Sequence, residues 1–218
     1  GPWMKTLLYK QLRLACHPMT PVFCLSGIML LIPNYPYLIT FFYTSLGIFF
    51  LCQNGRENKD IYYSLLLPVR KRDIVKARFG LIIMIELAQI LIAIPAAIIR
   101  NSLPMSSNLV GLDANLAFFG FAFALLGIFN LVFLSCYYHD VNKVGRPFIL
   151  SCVAIGAYII IIEAACHIVP YFSEILDTPD PLFLTHKLII LLVGIITFLL
   201  LTLLSYRRSA AAFEQLDF

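Results

Sequence analysis

Arg56-Glu57-Asn58-Lys59-Asp60-Ile61-Tyr62-Tyr63-Ser64-Leu65-Leu66-Leu67-Pro68-Val69-Arg70-Lys71-Arg72-Asp73-Ile74-Val75-Lys76-Ala77-Arg78-Phe79 is a polar segment between two long apolar stretches. It carries seven of the sixteen Lys and Arg residues of the chain. Ile61, Leu65 and Tyr62 fall at helical spacing, and Asn58 or Asp60 is placed to cap a first turn. Pro68 disfavours helix at Leu67, so the chain turns there, and a second helix is expected from about Arg70 into the next apolar run. A surface helix, a proline corner and a membrane entry follow one another.

The rest of the chain makes this segment an exception. Of 218 residues, 61% are hydrophobic and only 13% charged, and the mean hydropathy is +0.88, outside the range of soluble domains. The apolar residues come in runs near the length that crosses about 30 Å of hydrocarbon. Six spans are expected, near 18–33, 37–53, 78–99, 115–137, 147–168 and 186–206. Asn34-Tyr35-Pro36 joins the first two as a tight turn, and Pro21 bends or delays the first.

Lys and Arg in the connections set the orientation. Fourteen lie on the side of the leader, the basic segment, the 138–146 loop and the tail, and only Arg100 and Lys187 lie on the other. Both termini are therefore expected in the cytoplasm, in a multi-pass protein of the plasma membrane. Gly1-Pro2-Trp3 reads as a remnant of processing ahead of Met4. Residues 4–17 are amphipathic, with Met4, Leu8, Leu12 and Ala15 on one face. Lys5, Lys10 and Arg13 lie opposite, which fits either a helix resting in the headgroup plane or a helical positive flank. Arg70, Lys71 and Arg72 add basic charge at the same surface. The six cysteines show no CxxC spacing and sit in or beside apolar runs, as buried thiols do, and no metal site is expected.

Glu86 and Glu163 fall inside spans, with His167 one turn beyond Glu163. An ionised carboxylate at membrane depth is costly, so each must face the bundle, water or a partner. Two readings stay open: the polar lining of a path, or a hydrogen bond between helices. Aromatics crowd the spans (Phe41, Phe42, Tyr43, Phe49, Phe50, Phe118, Phe119, Phe121 and Phe123), serving either packing or an apolar cargo. The 169–185 segment mixes acids, prolines and large apolar residues, as short helices dipping into the outer leaflet would.

The run Tyr62-x-x-Leu65-Leu66-Leu67-Pro68-Val69-Arg70-Lys71-Arg72-Asp73-Ile74-Val75-x-Ala77-Arg78 resembles the segment between the second and third spans of ABC-2-type exporter permeases. There a Leu-Pro-Val corner is followed by basic residues, an acid and Ile-Val. Arg70 stands where that family often has a small polar residue. The layout of leader, six spans and an apolar outer segment is similar too.

What the resemblance implies is an all-α membrane protein with six transmembrane helices and an N-terminal interfacial amphipathic helix. A cytoplasmic coupling helix and short outer helices before the last span complete it. Residues 18–206 would form the membrane domain, with the coupling segment at 56–79, the outer segment at 169–185 and a cytoplasmic tail at 207–218. Asn58, Asp60, Ile61, Tyr62, Leu65 and Leu66 would dock on a separate ABC ATPase, which would hold the ATP and Mg. A second permease copy, identical or not, and the lipid bilayer would be the other partners, and nucleic acid would not be one. The cargo would be hydrophobic or amphipathic, such as a peptide.

The chain has no GxxxxGKS or GxxxxGKT phosphate loop, so it is not expected to hydrolyse ATP by itself. Two other classes remain: a non-transporting anchor or sensor that recruits a cytoplasmic partner, and an intramembrane enzyme. Against the enzyme, Glu163-x-x-x-His167 lacks the HExxH pattern, and no GxSxG elbow is present.

Overall fold

The computed structural model describes residues 2–10, 48–49, 52, 65–66, 70–102, 116–140, 143–170 and 184–216. All regular structure in these residues is helical. Most of it lies in α1 (Pro2–Lys10), α2 (Lys71–Ser102), α3 (Leu116–Tyr137), α4 (Gly145–Ile168) and α5 (Leu184–Glu214). Four of them, α2 to α5, are long and apolar enough to cross a membrane. They overlap the last four expected spans. The first expected span, all of the second but residues 48, 49 and 52, the 11–17 part of the leader, most of 56–69 and the 171–183 outer segment lie outside the described residues.

At its start, α2 is held by its own sequence. The Arg70 carbonyl accepts from the main-chain N–H of Asp73 and Ile74, at 3.0 and 3.3 Å. Asp73, in the first turn, faces the positive end of the helix dipole and pairs with Arg70 Nε at 3.4 Å. With 32 residues at about 1.5 Å each, α2 exceeds the roughly 30 Å hydrocarbon layer, so its ends project into the interfaces. Pro95 lies inside it, removing one helical N–H donor.

The closest helix pair is α3 with α5. A Cβ built on Gly120 would lie 2.5 Å from the Ile190 carbonyl oxygen, and one on Gly194 would collide with the Gly120 backbone. Between membrane helices there is little hydrophobic driving force, and close backbone approach at small residues takes its place. Gly127 extends the seam, its Cβ position 3.0 Å from Phe198 Cα. The α4 helix joins through Tyr158, whose hydroxyl donates to the Phe121 carbonyl at 2.8 Å. On α4 and α5, Ile149, Val153, Ile160, Leu192, Leu199 and Leu200 are exposed, which suits contact with acyl chains.

Aromatic rings fill the end of the bundle near the α2 start. Phe129, Phe133 and Tyr137 stack one turn apart on α3, and Tyr138 meets both Phe79 and Phe213. Phe118 and Phe119 are buried and pack edge to face, and Phe123 meets Phe198 in the same way. These aromatics are packing residues.

Two charges assigned to connections in the sequence reading are buried instead. Arg78 is 1% exposed, with its guanidinium 3.5 Å from Cys52 Sγ, and Lys187 is fully buried. The tail also differs from a free segment. Helix α5 continues to Glu214, Phe213 is buried, Arg72 pairs with Glu214 at 3.3 Å, and Lys71 Nζ donates to the Leu216 carbonyl at 2.6 Å.

Candidate functional site

Glu86 lies 15 residues after Lys71 along α2, about 22 Å from the start of the helix, and is fully buried. The element facing it is irregular: Asn130–Leu134, within α3, is π-helical. A π turn inserts one extra residue into the helical repeat, and such turns occur often at functional sites. Here it puts a buried amide opposite a buried carboxyl group.

Asn130 joins three helices. Its Nδ2 donates to Glu86 Oε1 at 2.9 Å and to Thr202 Oγ1 at 3.1 Å. The Ser205 hydroxyl donates to the Asn130 main-chain carbonyl at 2.5 Å. Thus α2, α3 and α5 meet at one polar point inside an apolar bundle. Glu86 Oε2, Asn130 Oδ1 and the Ser135 hydroxyl have no hydrogen-bond partner among the described residues. Glu86 Oε2 and Asn130 Oδ1 are acceptors that a proton or a water would satisfy.

Of the residues singled out in the sequence, Glu86 enters this cluster. Glu163 is half-buried on α4, and the His167 side chain lies outside the described residues. Lys5 is exposed on α1, opposite buried Leu7, while the Lys10 side chain and all of Arg13 are outside them. Arg70, Lys71 and Arg72 stand at the start of α2, in the contacts given above. Asn58, Asp60, Ile61 and Tyr62 are not described; Leu65 packs against the core, and Leu66 is 81% exposed. Asn130, Thr202 and Ser205 were missed. Asn130 carried a signal, as an amide within the apolar run 116–137.

A family model described as ABC-2 family transporter protein matches residues 6–214. The chain belongs to that family. It is a membrane component of transport, a transmembrane permease, and the buried cluster lies within its spans. No curated protein and no solved structure matches the permease. Among the described residues, no group of His, Cys, Asp and Glu is arranged to hold a metal ion.

Proposed function

We propose that this permease works as a pair of copies with separate ATP-hydrolysing subunits and exports a hydrophobic or amphipathic cargo such as a peptide. ATP and magnesium belong to the partner. The coupling helix is the stretch Asn58–Leu67, and both chain ends and this stretch face the cytoplasm, as the charge count favours.

One observation carries the reading: α2 is a continuous helix from the basic segment to Glu86. A helix transmits displacement along its axis, so a push on the segment before Arg70 reaches the Glu86–Asn130 contact without an intervening hinge. Around that contact, α3 and α5 must shift or their hydrogen bonds must break. The tie of α2 to the end of α5, through Lys71, Arg72 and the Phe79–Tyr206 edge contact, makes the two helices move as a unit at the cytoplasmic side. Bundles with discrete packings convert small shifts of this kind into switching.

The test is reconstitution in proteoliposomes with an ABC ATPase encoded beside its gene, with ATP-dependent movement of a hydrophobic peptide as readout. Transport that needs both chains and ATP supports the reading. ATP-independent movement, or none with a folded complex, rejects it.

A further inference from the structure

A second feature lies on the outside of the bundle, away from the buried cluster. Between α1, the early turns of α2 and the Phe198–Tyr206 part of α5 runs an apolar groove of about 480 Å³, within the volume range of small-molecule sites. Leu8, Gly80, Ile83, Leu203 and Tyr206 form its walls, and Thr202 lies at its inner end. Lys76 is the one charged residue among the described lining residues; it is exposed and forms no ion pair among the described residues. Arg207 and Arg208, directly after Tyr206, are exposed as well. No acidic side chain is among the described residues of the lining.

We propose that this groove seats an acyl chain of an anionic phospholipid, with its phosphate held by Lys76. Three observations converge on that occupant. The walls are hydrocarbon, as an acyl chain requires. The cation stands at the same end of α2 as the basic segment, where the helix leaves the membrane and headgroups lie. Basic pockets between helices at this level suit anionic headgroups. A cationic amphipathic peptide would meet Lys76 unfavourably.

The seat is also tied to the core. Thr202 lines the groove and accepts the hydrogen bond of Asn130, so an occupant packs against a member of the buried cluster. The lipid is thereby placed to bias that cluster.

The experiment titrates phosphatidylglycerol, or phosphatidylcholine with the same chains, into the full chain in detergent and counts adducts by native mass spectrometry. Phosphatidylglycerol is expected to bind preferentially. Lys76→Gln should weaken it by about fivefold, the weight of one cation at an anionic headgroup. Gly80→Leu and Leu203→Trp fill the groove and should lower both lipids; Leu203 is partly exposed, which keeps that variant foldable if Gly80→Leu is not. Lys143→Gln, in the connection between α3 and α4 and not among the groove's lining residues, should change nothing. Equal binding of the two lipids overturns the proposal, as does an unchanged Lys76→Gln or an equal loss in Lys143→Gln. Filled variants that still bind lipid place it elsewhere. A hydrophobic peptide that binds where no lipid does makes the groove a cargo site instead.

Discussion

Asn130 Nδ2 stands 2.9 Å from Glu86 Oε1, so an amide on a π turn and a carboxyl group 44 residues earlier share one hydrogen bond at membrane depth. Each group alone would be an unpaired polar side chain in hydrocarbon. Together, with Thr202 and Ser205, they join α2, α3 and α5 inside the bundle, away from the Arg72–Glu214 and Lys71–Leu216 contacts at the α2 start.

Substitutions at this pair should separate shape from polarity. Glu86→Gln keeps the volume and an acceptor, and is expected to retain the melting temperature. Glu86→Leu and Asn130→Leu should each lower it. A double-mutant cycle should give a coupling of about 0.6 kcal/mol, the usual size for a hydrogen bond between membrane helices. Additive losses in thermal unfolding would mean that the two side chains do not interact.

Gly194 and Gly156 form a second contrast. At Gly194 any Cβ strikes the Gly120 backbone, whereas at Gly156 nothing lies within 4 Å. Gly194→Ala should therefore separate α3 from α5 and cost several °C in melting temperature, or abolish folded yield. Gly156→Ala should be neutral or stabilising by up to about 1 kcal/mol, since alanine is the better helix former. Equal behaviour of the two variants in detergent melts would contradict the seam.

Much of the membrane plan was legible because hydropathy and length are strong signals: α2, α3, α4 and α5 overlap expected spans. Their ends were less so. Arg78 and Lys187 count as loop charges in a sequence reading, yet both are buried, since a tertiary partner or a long aliphatic stem overrides the average preference of a cation for water. Residues 207–214 read as a tail because Arg207, Arg208 and Glu214 are polar, whereas Ala210 and Phe213 between them pack on Tyr138 and its neighbours. Glu86 stood out as a charge in an apolar run. Its partners did not: Thr202 and Ser205 are ordinary in membrane helices, and no helical periodicity announces the π turn that aims Asn130 at Glu86.

The proposed topology, with both termini and the basic segment in the cytoplasm, rests on the charge count and can be tested directly. In a background without native cysteines, a cysteine at Ser106 or Asp177 should react with an impermeant maleimide added outside cells. One at Lys71 should react only after permeabilisation. External labelling at Lys71 would invert the orientation and remove the basic segment from the cytoplasm.

The proposed coupling to an ATPase is checked by affinity purification of the permease from native membranes with the ATPase encoded beside its gene. The partner should co-purify with two permease copies. Truncation at the docking helix, Ile61→Ala or Tyr62→Ala, should weaken that association by about 2 kcal/mol, as loss of an interface anchor does, while the permease itself remains in the membrane. Recovery of a folded permease alone, or an association indifferent to both substitutions, would contradict the account.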